Sequence, residues 1–365
     1  MKNRILLSIC LMLVLVSLTF MSACRAPAPS PTPTPTPTPS PITLTFASGS
    51  GPGTLVAEVG NWWMDEISDR TNGQIQWDRY WGGALIGHRE ALDALRDGVI
   101  DATSLVVIMF PSELPLAGFD YWFPFSAPDI SLVVRVKSDL YKNVPALDEE
   151  LSAHNIQRIA WLPLASYNLE SRVPISNLRD FQGVKIGHTP VQFSKIFSSV
   201  GAVSVISPGK EFYERLSRGV IDACVFSLDL AYSYSLQDVI DYYITVNLAN
   251  PCPYLLCVNS DVYQRLKPEV QELFIEVGQE AQVRYCELLS QKLAKAKAAF
   301  EQAGVTFSTL PKDEISEWAH RVPDIAAEWV EKMVAEGLPG QQIATAYIEL
   351  MEKAGYQWPR RWTME

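Results

Sequence analysis

The sequence predicts a two-lobed α/β protein, on three observations: a phrase that occurs twice, strand and helix patterns alternating around each copy, and one very long amphipathic helix near the end. The phrase Leu95-Arg96-Asp97-Gly98-Val99-Ile100-Asp101-Ala102 returns as Leu216-Ser217-Arg218-Gly219-Val220-Ile221-Asp222-Ala223. Each copy ends a helical pattern (90–95 and 211–216) with a glycine, where a left-handed cap is expected, just before a β-branched strand start. Two copies so far apart are too few for a solenoid, so they mark equivalent positions in two similar lobes.

In chain order, Lys2 and Arg4 precede an apolar run over 5–20, and Met21-Ser22-Ala23 precede Cys24, which reads as an export signal over 1–23. The run is too short for a comfortable membrane span. Ser-Ala-Cys resembles the lipobox of bacterial lipoproteins, with Met21 in place of the usual leucine, so Cys24 is the expected lipidation site and membrane anchor. Residues 24–41 alternate proline with small residues; they have no apolar surface to bury and favour a semi-rigid polyproline tether. Residues 42–47 alternate as an opening strand and run into a Ser-Gly-Pro loop over 48–53 whose backbone is free to approach a ligand. A helix is expected over 54–70, a turn at Asn72-Gly73, and a strand that begins with 74–77. Around the second copy, 184–186 and 203–206 read as strands flanking a helix over 191–200. From Pro268 to Ala303 the pattern stays helical, about 54 Å at 1.5 Å per residue, long enough to brace both lobes. Amphipathic helices follow over 324–335 and 341–354. The expected organisation is a first lobe of 42–165 plus about 253–292, a second lobe of 166–252 plus about 293–325, and C-terminal helices over 326–365.

Composition narrows the function. A formal charge of −11 argues against a nucleic-acid partner, which would call for a basic patch. The four histidines are far apart and lack metal-ligand spacing, and neither a P-loop nor a G-x-S-x-G elbow is present, so no catalytic residue, metal or cofactor is expected. Cys224 with His188 is the one pair that could supply a thiol nucleophile; a small residue in a buried strand is the ordinary alternative for such a cysteine. Cys252 and Cys257 could form a disulfide only if the run between them turned back on itself.

A series of phrases along the chain carries a family resemblance: Thr71-Asn72-Gly73-Gln74-Ile75, Gly83-Ala84-Leu85-Ile86-Gly87 with 90–101, Phe119-Asp120-Tyr121-Trp122-Phe123-Pro124-Phe125, 178–186, 211–222, and Ala303-Gly304-Val305. In this order they resemble the DctP-type solute-binding subunits of tripartite ATP-independent periplasmic (TRAP) transporters. The resemblance implies a periplasmic-binding-protein-like (type II) fold with a hinge, a Venus flytrap closing on a small ligand, usually an organic acid, for a separate membrane permease. A binding component of an ABC-type importer or of a sensor, or a surface hydrolase, are the alternatives.

The resemblance also implies where ligand should sit. The arginine that usually follows the Lys-Ile strand and clamps the substrate carboxylate is here Gly187, followed by His188. The polar residue usual after the second repeat is Phe226, followed by Ser227. Tyr167 and Phe110 are the matching aromatic positions, Arg172 is the one nearby cation, and Ser48 and Ser50 sit in the first-lobe loop. Aromatic walls with few polar groups suit a neutral or aromatic ligand.

Overall fold

The computed structural model describes residues 40–362; the export signal, Cys24 and nearly all of the tether lie outside the described residues. The strands in chain order are β1 (Ile42–Ala47), β2 (Ile75–Tyr80), β3 (Ala102–Val106), β4 (Ile156–Leu162), β5 (Tyr167–Ser171), β6 (Lys185–His188), β7 (Val203–Ile206), β8 (Ala223–Ser227), β9 (Tyr242–Ala249), β10 (Tyr254–Asn259) and β11 (Thr306–Thr309). They form a five-stranded sheet, β2-β1-β3-β10-β4, and a six-stranded one, β11-β9-β5-β8-β6-β7. In the first, β1 runs parallel to β2 and β3, and β10 returns antiparallel beside β3. In the second, β6 runs parallel to β7 and β8, and β5 returns antiparallel beside β8. The two lobes therefore share one strand order, and β11 extends the second at its edge.

The duplicated phrase occupies the same corner of each lobe. Gly98 and Gly219 end short helices with φ of 72° and 68°, a region that costs a side chain strain and glycine little. The backbone N–H of Asp101 donates to the Thr45 carbonyl (2.9 Å), and its carboxylate accepts the Thr45 N–H (2.7 Å). Asp222 makes the same exchange with Lys185, at 2.8 and 2.9 Å. The carbonyls of the two aspartates then accept from Asn259 (2.8 Å) and Arg172 (2.9 Å) on the antiparallel strand side. In each lobe one aspartate thus ties the first strand, the strand after the cap and the return strand together.

Between lobes the chain crosses side by side at 163–166 and 250–253, where the Leu164 N–H donates to the Pro251 carbonyl (2.9 Å). Lys137, fully buried, fastens this hinge. Its ammonium meets Asp120 Oδ2 at 2.9 Å and the carbonyls of Ala117 and Cys252 at 3.2 and 3.0 Å, over the face of Trp161. The same Asp120 oxygen accepts the Cys252 N–H (2.9 Å).

The long helix, Pro268–Gln302, braces both lobes as expected. Phe274, Val277 and Ala281 enter the first-lobe core, while Ala296 and Phe300 enter the second. It lies close on β4 because residue 278 is glycine; a Cβ there would stand 2.5 Å from Ile159 Cγ2. Beyond it the chain returns across the molecule. Trp318 of the helix Lys312–Arg321 packs on Phe181 and Phe197 and donates to the Ile196 carbonyl (3.0 Å) in the second lobe. Trp329 of the helix Ile325–Ala335 and Tyr347 of the helix Gly340–Lys353 pack on Phe119 and Phe123 in the first.

Several expectations need adjustment. The helix expected over 191–200 is only Phe193–Ser198. The helices Ile130–Asn143, Ala146–Ala153 and Lys312–Arg321 were unanticipated, although Asp129 caps the first by accepting the Leu132 N–H (2.9 Å). Cys252 and Cys257 are free, because Cys257 lies in the extended β10.

Candidate functional site

In open α/β sheets, ligands gather where the carboxyl ends of parallel strands face a crevice. Here β3 and β6 deliver their following segments to the same crevice from opposite lobes. Between those segments lies a pocket of about 390 Å³, at the small end of the range for ligand sites. Val107, Ile108, Met109, Leu114 and Trp122 form the first-lobe wall, and Thr189, Pro190, Val191 and Gln192 the second. Trp329, Lys332 and Met333 of the helix Ile325–Ala335 close a third side. Gln192 reaches across the lobes, its amide donating to the Tyr121 carbonyl at 3.4 Å. Met109 and Val191 stay 41 % and 64 % exposed, so apolar side chains face the crevice uncovered.

The lining chemistry is selective. Two cations, Arg89 and Lys332, border the pocket, and no lining residue is an acid, a histidine, a serine or a cysteine. It can hold and orient a molecule, and its hydroxyl and amine groups are those of Thr189 and Lys332. A larger depression of about 610 Å³, bordered by Arg96, Asp97, Asp101 and Asn259, lies under the first duplicated phrase. Asp101 and Asn259 are already spent there on the strand junction, so the interlobe pocket is the better candidate.

None of the nine residues singled out from the sequence lines that pocket. His188 points into the second-lobe interior: Nδ1 lies 3.0 Å from the Pro190 carbonyl, Nε2 lies 2.7 Å from Ser204 Oγ, and Phe193 and Phe197 flank the ring. A carbonyl can only accept, so Nδ1 carries the proton, and Nε2 stands beside the Ser204 hydroxyl, which also bonds Ser194. Burial pushes the imidazole down to about 4. Neighbouring Gly187 faces the other side of the sheet, where a Cβ would stand 2.7 Å from Ile221 Cδ1 and 3.2 Å from the Phe212 ring. Packing has closed that position to any larger side chain.

Phe226 stacks with Phe212 and Tyr234 in the second-lobe core, and Ser227 is buried beside Asp229. Tyr167 is buried against Tyr121 and Phe193, and burial raises its hydroxyl pKa. Phe110 is buried behind the pocket wall, while its neighbours Met109 and Pro111 line it. Ser48 bonds Ser104 Oγ (2.7 Å), and the Ser50 carbonyl accepts the Gly82 N–H (2.8 Å), so the loop packs inward instead of standing open. Arg172 sits at the strand junction, with Nη1 beside Gly219, at the end of β8 away from the crevice. The proposed thiol pair does not assemble either. The Cys224 thiol, pushed well up by burial, faces Glu170 at 3.9 Å, while His188 is committed to Pro190 and Ser204.

The fold and this crevice are those of a two-lobed solute receptor. The family model for bacterial extracellular solute-binding protein family 7 (DctP) matches residues 46–333, and the chain belongs to that family. Among curated proteins it is 22 % identical over 269 residues to an uncharacterised protein, YiiZ, of Salmonella typhimurium, covering 71 % of this chain and 79 % of that one. Among solved structures it is similar to a TRAP periplasmic solute-binding protein of Desulfovibrio salexigens in an open complex, with a TM-score of 0.77 and 20 % identity over 86 % of this chain and 97 % of that one. It is also similar to a TRAP solute-binding protein of Rhodoferax ferrireducens in complex with benzoate, with a TM-score of 0.73 and 22 % identity over 86 % and 98 %. The family is extracytoplasmic, and no described helix is long and apolar enough to cross a membrane.

Proposed function

We propose that this chain captures a small organic solute in the interlobe pocket and presents it to a TRAP-type membrane permease, without chemistry of its own. The interlobe pocket carries this reading: both lobes and the helix Ile325–Ala335 contribute walls, which are mostly apolar. Delivery to a permease and work outside the cytoplasm follow from membership of the family. The lipid on Cys24 and the tether of 24–41 would hold the receptor at a membrane surface while leaving the lobes clear of it.

Gly118 offers the sharpest test. It borders the pocket with an ordinary φ of −95°, and a Cβ there meets nothing within 4 Å, so a leucine fills the cavity without straining the scaffold. Ligand binding, read as a rise in Tm with a metabolite extract, is expected for the wild type and lost in Gly118→Leu. A Gly118→Leu protein that keeps the full rise would place the site elsewhere.

A further inference from the structure

The first-lobe segment 114–118 is gripped from three sides. Leu114, Pro115 and Gly118 of this segment border the interlobe pocket. From the pocket helix, the Trp329 indole donates to the Pro115 carbonyl at 3.4 Å. From the hinge, the Lys137 ammonium donates to the Ala117 carbonyl at 3.2 Å. The third grip is Glu150 of the helix Ala146–Ala153: its two carboxylate oxygens accept the consecutive N–H groups of Leu116 (2.7 Å) and Ala117 (2.8 Å). Pro115 has no N–H, and that of Leu114 is already bonded to the Phe110 carbonyl (2.8 Å). One carboxylate thus fixes the backbone between the pocket-lining residues through two charge-assisted bonds. The charges around Glu150 are committed elsewhere. Asp148 of the same helix pairs with Arg158 of β4 (2.7 Å), Lys137 of the helix Ile130–Asn143 pairs with Asp120 (2.9 Å), and Glu149 is exposed. Burial pushes the Tyr141 hydroxyl well up, so it stays neutral, and among the described residues no lysine, arginine or histidine pairs with Glu150.

Resting on the interlobe pocket as the binding site, we infer that Glu150 is a positioning residue for it: the ionised carboxylate holds 114–118 as a wall of the pocket, and the wall slackens when that carboxylate takes up a proton. An ionised carboxylate accepts on both oxygens, whereas a neutral carboxyl turns one of them into a donor, and a backbone N–H cannot accept. One of the two N–H bonds is therefore lost on protonation. Burial, opposed by those same two bonds, pushes the group up to about 7 from an ordinary 4.5, so the change falls near neutral pH. The sign follows by linkage. A solute that needs the ordered wall favours the ionised form, so it binds more tightly as pH rises through about 7 and displaces a proton as it binds. The fold responds in the opposite sense, because burial favours the neutral carboxyl. Solute affinity and fold stability therefore move apart over the same pH range.

The test compares wild type, Glu150→Gln and Asp148→Asn at pH 6 and pH 8. Hydrogen–deuterium exchange over 114–121, corrected for the intrinsic effect of pH, reads the two N–H bonds directly. In the wild type this exchange should be about tenfold faster at pH 6 than at pH 8. Glu150→Gln, with a single acceptor oxygen at any pH, should exchange at the fast rate at both. Asp148→Asn leaves the Glu150 carboxylate in place and should keep the step. A wild type without the step, or a step that survives in Glu150→Gln, overturns the role of the carboxylate. The rise in Tm with a metabolite extract, taken against each protein's own Tm, reads the pocket. Wild type should exceed Glu150→Gln in this rise at pH 8, and the two should agree at pH 6, a comparison in which titration of the solute itself cancels. Equal rises at pH 8 overturn the link from Glu150 to the pocket, and an unchanged difference at both pH values overturns the link to its proton. A wild type that shows no rise at either pH overturns the solute site itself, while the exchange step still decides whether Glu150 anchors the segment.

Discussion

Burial holds the His188 imidazole neutral at about 4, against an ordinary value of 6.5, and this ties stability to pH. Between those values the unfolded chain binds a proton that the folded chain refuses. Stability is therefore complete above pH 6.5 and is lost as pH falls toward 4, by about 3 kcal/mol in all. Glu150 has the opposite sign. Burial pushes its carboxyl up to about 7, although it accepts the N–H groups of Leu116 and Ala117, so its contribution weakens as pH rises toward 7. Comparing wild type with His188→Gln cancels Glu150 and isolates the histidine. Chemical denaturation at pH 7 and pH 4.5 is expected to show wild type losing more stability than His188→Gln on acidification; equal losses would contradict the buried, neutral ring.

At the scale of elements, the two aspartate junctions are one device used twice. Asp101 and Asp222 each satisfy a strand N–H that would otherwise be left without its partner. Asp101→Ala and Asp222→Ala should each cost about 1–3 kcal/mol, and their effects should add because the sites lie in different lobes. Denaturant midpoints of the two single variants and the double variant check this, and a strongly non-additive double would deny that the junctions are independent. The same duplication made the fold legible from sequence: a capped helix followed by a β-branched run is a local signal, and its recurrence revealed two lobes of like topology. Pro268 and the long apolar stripe likewise predicted Pro268–Gln302 almost to the residue. The candidate site was less legible, because strand periodicity gives alternation without saying which face meets the crevice. Gly187 and His188 fall on opposite faces of β6, and neither faces the pocket. Lys332 and Trp329 reach it from more than two hundred residues beyond Val107, and no local pattern announces such a contact. Arg89 stood beside the first duplicated phrase, where its charge was visible but its direction was not.

For the whole molecule, the hinge depends on one buried lysine. Lys137 joins the helix Ile130–Asn143, the turn at Ala117 and the crossing segment at Cys252, and Asp120 holds both the ammonium and the Cys252 N–H. Removing one partner of a buried ion pair typically costs about 3–5 kcal/mol, since the other charge is stranded. Lys137→Met should therefore lower Tm by several degrees, and adding Asp120→Asn should restore part of the loss. A Lys137→Met protein as stable as wild type would show that the pair does not hold the hinge.

Both ends of the described chain finish on the first lobe: β1 opens there, and Trp362 near the other end donates to the Pro124 carbonyl at 3.2 Å. The second lobe is a detour in the middle of the chain, so whatever holds the protein at its amino end holds the first lobe, and any parting of the lobes swings the second away from a stationary partner. The helix Ile325–Ala335 packs on that same lobe through Trp329, so two of the pocket's three walls stay together as the jaws open. A solute released by such a motion would lose only the wall of Thr189 to Gln192, and would leave past one flank instead of dropping out between two equal halves.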